Sequence, residues 1–272
     1  MPELPEVETI KGDLERVLIG ATLEAVEIRD FNYLSKRGLK INSLKKLINQ
    51  KILTIKRKGK LLILVFSKEA LIFHLGMTGA LFFSPREDYP ILKTSMILKF
   101  TFNRGFLSFY DPRKFGKIWI IPKEQYEFWL ENQIGPDALE ISVRDFITLL
   151  KGSRKRIKTL LMDQKKIAGL GNIYTDELLF RAGINPFRQV SSLSENELEE
   201  LYYHMKTLLR EAIALRGSSI KDYIDGFGSK GAFQERHQVY GKRGQPCPKC
   251  GNPLLYASIN GRSTTFCNQC QR

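Results

Sequence analysis

Apolar residues recur at Val7, Ile10, Leu14, Val17 and Leu18, and these spacings of three and four predict a helix with one buried face. Beyond it the pattern shortens to strand length. Lys51–Ile55, Leu61–Phe66, Leu71–Phe73, Met96–Phe102, Gly105–Tyr110 and Lys117–Ile121 are the clearest predicted strands, many of them bounded by Gly, Pro or Asn. Residues 95–100 alternate between polar and apolar, whereas residues 61–66 form an unbroken apolar run. A β-sandwich or barrel-like domain with flanking helices fits this stretch, which ends near Pro122, before Gly135-Pro136 punctuates the chain. From Val143 to Leu215 the period becomes helical, with candidate helices at 142–150, 156–163, 173–181 and 195–215. Near the C-terminus, residues 254–259 and 263–266 read as two short strands about an Asn260-Gly261 turn, with Arg262 at or beside its tip.

Charge changes the picture more than the rest of the composition. The 272 residues carry 43 Lys+Arg against 29 Asp+Glu, a net charge of +14. That excess says nothing about fold but points to a polyanionic partner. No segment approaches the eighteen or so apolar residues of a membrane span, and the acidic start lacks the basic and apolar regions of a signal peptide. A cytoplasmic location is expected. All four cysteines lie in the last 26 residues, as Cys247-x2-Cys250, sixteen residues, then Cys267-x2-Cys270. In a chain without an export signal this spacing is a zinc signature, each knuckle giving two thiolates to one tetrahedral ion. A closed four-thiolate site is structural, so the expected metal is one Zn2+ that fixes the hairpin.

Chemistry concentrates at the N-terminus, Met1-Pro2-Glu3-Leu4-Pro5-Glu6. Removal of Met1 would make Pro2 a terminal secondary amine, which can attack a sugar carbon and form an iminium without deprotonating a lysine near pH 10.4. Glu3 and Glu6 are proton-transfer partners within four residues of it. The same residues also serve ordinary helix initiation, with proline in the first turn and acids near the positive end. A second ambiguity sits at Ala168-Gly169-Leu170-Gly171-Asn172, where two glycines precede a helix start. This is either a plain interhelical turn or a place where free amides take up phosphate.

In order along the chain, Pro2-Glu3-Leu4-Pro5-Glu6-Val7-Glu8-Thr9, Lys58-Gly59-Lys60, His74-Leu75-Gly76-Met77-Thr78-Gly79, Asp111-Pro112-Arg113-Lys114-Phe115-Gly116, Gly169-Leu170-Gly171-Asn172-Ile173-Tyr174 and the four-cysteine ribbon together resemble the bacterial formamidopyrimidine-DNA glycosylases. The resemblance runs from residue 2 to residue 270. It implies an α+β multidomain protein: an N-terminal catalytic β-sandwich (1–132), a helix-two-turn-helix domain (133–225), a flexible lesion-recognition loop (226–237) and a zinc finger (238–272). It implies excision of oxidised purines from double-stranded DNA and cleavage at the abasic site, by a monomer at the nucleoid. Pro2 would be the nucleophile, Glu3 the proton donor at the sugar ring oxygen, and Glu6 a stabiliser of the helix start. Lys60 would serve β-elimination and grip phosphate; its local alternative is one charge among Lys56, Arg57 and Lys58 on a solvated strand. Arg262 would serve δ-elimination, or simply contact phosphate. Met77, Arg113 and Phe115 would fill the space left by the extruded nucleotide, with Arg113 facing the orphaned base. Phosphate contacts are expected from Asn172, Lys158, Arg154 and His74, while His237 reads as structural.

One stretch departs from the family pattern: Lys93-Thr94-Ser95 stands where many members carry His-Asp-His, and Lys93 is the residue there that could still meet phosphate. Two other readings fit the same composition, an endonuclease VIII type acting on oxidised pyrimidines and a non-catalytic zinc-ribbon binder. Met77, Arg113, Phe115 and the Gly-rich loop favour the purine branch. If the +14 is directed at DNA and about five phosphates are neutralised, log K for duplex binding falls with log salt at a slope of roughly −4 to −5. A flat response in a salt titration of the binding constant would show that the charge serves another end.

Overall fold

The computed structural model describes residues 2–87 and 95–272, and the chain divides into two compact units. The first comprises residues 1–132 and 215–234; the second comprises 133–214 and 235–272. Among the described residues no helix is long and apolar enough to cross a membrane.

In the first unit, α1 (Leu4–Leu18) is followed by β1 (Leu23–Ile28), two short helices α2 (Phe31–Ser35) and α3 (Ile41–Lys45), then β2 (Ile52–Lys58), β3 (Leu61–Phe66), β4 (Glu69–His74), β5 (Ala80–Ser84), β6 (Met96–Phe102), β7 (Gly105–Tyr110) and β8 (Lys117–Pro122). The strands form two antiparallel sheets, β1-β6-β7-β5 and β2-β3-β4-β8. Their inner faces share one core: Leu62, Leu64, Phe66 and Phe73 from one sheet meet Phe100, Phe102, Leu107 and Phe109 from the other. Phe73 packs against Phe100 and Phe109 at ring separations of 6.2 and 5.5 Å, and Phe66 stacks on Phe102 at 6.4 Å. Burial on this scale is worth about 1.5–3 kcal/mol for each large side chain. The apolar run in β3 is explained by burial on both faces, since Leu61, Ile63 and Val65 are buried as well. The buried stripe of α1, Val7, Ile10, Leu14 and Leu18, belongs to the same core.

β1 is not among the predicted strands because a bulge between Leu23 and Ala25 breaks its alternation. β5 was hidden by its brevity and by burial at every position. After α4 (Tyr126–Gln133), the second unit contains α5 (Val143–Leu150), α6 (Ile157–Leu161), α7 (Asn172–Arg181) and the long α8 (Glu195–Ala214), then the hairpin β9 (Leu255–Ile259) and β10 (Arg262–Phe266). Ser142 caps α5 by accepting from the Asp145 N–H at 3.1 Å. Asn260 (φ 49°) and Gly261 (φ 71°) are both left-handed, as a two-residue turn of the primed kind needs. Residues 215–234, which contain the expected boundary at 225, belong to the first unit. The segment 226–237, read as one loop, is shared between the two units. The reason is hydrogen bonding: residues 218 and 226 donate to carboxylates of α1, whereas residues 238–240 donate to Glu177 of α7.

His74 and His237 are both held neutral. Burial, with the charges of Lys60 and Lys117, pushes His74 down to about 4; burial and Lys242 push His237 down to about 4. The unfolded chain takes up these protons near pH 6.5, so between roughly 4 and 6.5 it binds more protons than the folded one. Stability from these two groups is therefore complete above about pH 6.5 and is lost as pH falls through that window. Urea midpoints should drop between pH 7.5 and pH 5, and His74→Gln should reduce the drop. A midpoint that does not change would contradict the assignment.

Candidate active site

Everything at the N-terminus of α1 is organised by a buried carboxylate. Glu3 is the N-cap residue and Glu6 lies in the first turn, both excluded from solvent. Glu6 Oε2 accepts from the Glu3 N–H at 2.7 Å, and its Oε1 accepts from the Ser218 N–H at 2.8 Å. One side chain thus pins the backbone next to Pro2 and joins it to the 215–234 segment. Gly217 makes this approach possible, because a Cβ there would lie 2.6 Å from Glu6 Oε1 and its φ is +79°. Pro2 is buried beside this helix end.

Lys60 sits at the β2–β3 turn and is largely buried. The turn is fastened to α1 by Arg57, which donates to Glu8 Oε2 at 2.5 Å and to the Gly59 carbonyl at 3.1 Å. Lys60 is therefore a held residue, not one charge of a solvated strand. His74 ends β4 opposite Leu61 and Lys117, and its buried Nδ1 has no hydrogen-bond partner.

Two loops carry Met77, Arg113 and Phe115. Met77 and Phe115 are exposed, at 40% and 49%, so neither is a core residue. The Arg113 guanidinium lies 4.7 Å from the Phe115 ring centroid. Both loops depend on Asp111, which is wholly buried. Its Oδ1 accepts from the Thr78 hydroxyl at 2.7 Å and its Oδ2 from the Gly116 N–H at 2.6 Å. Gly76 (φ +65°) lets the first loop pass over the second, since a Cβ would stand 2.7 Å from the Phe115 and Gly116 backbones. Arg37 adds a hold by donating to the Gly116 carbonyl at 2.7 Å and to that of Lys114. Asp111 opens the Asp111-Pro112-Arg113-Lys114-Phe115-Gly116 stretch, but its anchoring role carries no local sequence signal. Lys93 lies outside the described residues.

In the second unit Arg154 is exposed just before α6, and Asn172 opens α7 behind the N-cap Gly171. Asn172 Nδ2 donates to Ser263 Oγ at 3.1 Å, and its buried Oδ1 has no hydrogen-bond partner. Lys158 corrects the expectation of a phosphate contact. Its side chain is buried, donating at 2.6 Å to both Asp176 Oδ1 and the Ser263 carbonyl. Burial raises Asp176 to about 6 against the pull of Lys158, and the same carboxylate accepts from Thr264 Oγ1 (2.8 Å) and the Thr265 N–H (3.2 Å). The pair docks β10 on α7. The adjacent Glu177 accepts from the N–H groups of Gln238, Val239 and Tyr240 at 2.8–3.0 Å. Arg262 is exposed at the start of β10, opposite Ile259, in a cleft with Thr159, Met162, Asp163 and Asn260.

The sulfurs of Cys247, Cys250, Cys267 and Cys270 lie within 4.8 Å of one another, with 3.9 Å between Cys247 and Cys270 and 3.5 Å between Cys250 and Cys267. A tetrahedral zinc with Zn–S of about 2.3 Å sets its sulfurs nearly 3.8 Å apart, so the four thiolates fit that ion.

Family models match along the chain: the formamidopyrimidine-DNA glycosylase N-terminal domain at residues 1–118, the formamidopyrimidine-DNA glycosylase H2TH domain at 134–224, and the zinc finger found in FPG and IleRS at 244–272. The chain belongs to the formamidopyrimidine-DNA glycosylase family. The glycosylase of Pelotomaculum thermopropionicum is 40% identical over 279 residues, covering 100% of this chain and 99% of that one. Among solved structures, a complex of Lactococcus lactis Fpg with DNA containing an abasic site superposes with a TM-score of 0.90 at 36% identity over 100% of both chains. The MutM (Fpg) protein of Thermus thermophilus gives 0.86 at 37%, covering 99% of this chain and 98% of that one. The α+β architecture and the structural zinc ribbon of this glycosylase-family chain are those expected from sequence.

Asp111→Ala leaves the Gly116 N–H and the Thr78 hydroxyl unmatched inside the first unit. Because hydrogen bonds to a charged acceptor are the strong ones, the substitution should cost about 3 kcal/mol in a denaturation experiment. A loss below about 0.5 kcal/mol, the size of a neutral surface change, would contradict the anchoring role.

Proposed function

We propose that this chain is a bifunctional DNA glycosylase and abasic-site lyase of base excision repair. Its substrates are oxidised purines, 8-oxoguanine and formamidopyrimidines, in double-stranded DNA. The observation that carries this reading is the N-terminus of α1, where Pro2 precedes a capped and buried pair, Glu3 and Glu6. The family to which the chain belongs, and the lesion-containing DNA in the Lactococcus lactis Fpg complexes, support the choice of substrate.

With Met1 removed, the Pro2 nitrogen attacks C1′ of an extruded nucleotide, the C1′–N bond to the base breaks and the base leaves with a proton. Glu3 supplies a proton to the sugar ring oxygen as the ring opens to the iminium. The iminium then acidifies the C2′–H; loss of that proton expels the 3′ phosphate, and a second elimination expels the 5′ phosphate. Lys60 assists the first elimination and Arg262 the second. Glu6 has both oxygens on backbone N–H groups, so its part is to fix the geometry of the helix start.

Met77, Arg113 and Phe115 enter the space vacated by the nucleotide. Arg113 presents its fork of donors to the unpaired base while Phe115 supports the guanidinium from below. Asn172, Arg154 and His74 contact phosphates, His74 as a neutral donor. Zinc, held by Cys247, Cys250, Cys267 and Cys270, keeps the hairpin that presents Arg262 in shape. The protein works as a monomer in the bacterial cytoplasm, at the nucleoid where its substrate lies.

Borohydride reduces an iminium to a stable amine, so incubation with lesion-containing duplex and borohydride should trap a covalent protein–DNA adduct. Pro2→Gly should lower strand cleavage by at least about 100-fold while leaving duplex binding nearly intact. Absence of an adduct from protein whose intact mass shows Met1 removed would favour a zinc-ribbon binding protein. Faster excision of thymine glycol than of 8-oxoguanine opposite cytosine would instead assign the chain to pyrimidine lesions.

A further inference from the structure

The 215–234 segment has a second anchor on α1, and no step of the proposed chemistry uses it. Asp13, about two turns beyond Glu6, is buried. Its Oδ2 accepts from Arg216 Nη2 at 2.6 Å and from the Gly226 N–H at 3.1 Å. Arg216 also donates through Nε to Asp225 Oδ2 at 2.8 Å. Asp225 Oδ1 accepts from the N–H groups of Phe227 at 3.0 Å and Ser229 at 2.9 Å, and the Gly226 carbonyl accepts from the Phe83 N–H at 2.8 Å. A single guanidinium thus gathers two buried carboxylates, and those carboxylates hold the turn at 225–229.

Arg216 is also an outlier in its backbone. Its φ is +61°, in the left-handed region where a Cβ is penalised, directly before Gly217 at +79°. If the chain needed only to turn here, glycine would do so without strain. An arginine is tolerated because the two ion pairs repay the conformation, and strain held in place by specific contacts points to a functional constraint.

We propose that Arg216 is a positioning residue for base excision. With Asp13 and Asp225 it latches the turn at 225–229 onto α1, presetting that turn for the departing base, while the bond from Ser218 to Glu6 is a separate anchor that Arg216 does not make. The proposal rests on the glycosylase reading. At a lesion the turn meets the base as its bond to C1′ breaks. At a preformed abasic site no base is present, and the latch contributes little.

The test is Arg216→Gly, which relieves the backbone strain while removing the guanidinium. Single-turnover excision of 8-oxoguanine opposite cytosine should fall about tenfold, whereas cleavage at a preformed abasic site should change by less than about twofold. Amide exchange across 225–229 should accelerate while the amides of α1 keep their rates. Asp13→Asn should act in the same direction, and the double variant should be no slower than Arg216→Gly alone, because both remove one shared interaction. Parallel loss on both substrates, or unaltered exchange at 225–229, would overturn the proposal. Inactivity of the unaltered protein on both DNAs would sink the glycosylase reading and with it the role in excision, while the exchange rates would still report whether the latch exists.

Discussion

The Glu6 carboxylate is the constraint on which the arrangement at the start of α1 depends. A buried carboxylate is costly unless hydrogen bonds replace its water, and here two backbone N–H groups do so from opposite directions in sequence. One comes from Glu3, three residues earlier, and the other from Ser218, 212 residues later. The backbone next to Pro2 and the 215–234 segment are therefore not independent. Moving either one strands a charged oxygen in a dry environment, a penalty of several kcal/mol that sets how far both can drift. A helix end built this way needs no rigid loop of its own, because it borrows rigidity from the sandwich core on which α1 packs.

The same device recurs wherever the fold must hold a loop without an extended sheet or helix contact. Asp111 gathers the Thr78 hydroxyl and the Gly116 N–H, setting the two loops that expose Met77, Arg113 and Phe115. In the second unit α7 turns two successive acids to two tasks: Asp176 fastens β10 with help from Lys158, and Glu177 caps the bare amides of 238–240. A carboxylate suits this work better than an amide side chain. It has only acceptor sites, so several N–H groups can converge on it without leaving a donor unsatisfied. The zinc ribbon, whose own apolar core is small, gains its second attachment in this way.

What could be read from the sequence follows from how local each signal is. The α1 face, the Asn260-Gly261 turn and the paired cysteine knuckles are set by residues within a few positions of one another, and each lies where the spacing places it. Residues 23–28 and 80–84 escaped because a bulge and complete burial erase the alternation that marks a strand. Lys158 was misread for a different reason. It sits in a run with Arg154, Lys155 and Arg156 that looks solvated, and only partners 18 and 105 residues away take its ammonium out of solvent. Asp13, Arg216 and Asp225 carry no local signal at all, since an isolated aspartate on a helix and an arginine before a glycine are unremarkable until the fold brings them together.

These anchors also bear on the charge that first set the chain apart. Among the described residues Glu3, Glu6, Asp13, Asp111, Asp137, Asp176, Glu177 and Asp225 are buried, against a shorter set of buried cations in Arg57, Lys60, Lys99, Lys158 and Lys206. Acidic residues are used disproportionately as internal adhesive, and lysine and arginine are left disproportionately outside. The exposed surface is consequently more positive than the net charge of +14 suggests. The same choice therefore serves two ends, since each carboxylate that fixes a functional loop also leaves one fewer negative charge to repel a polyanion.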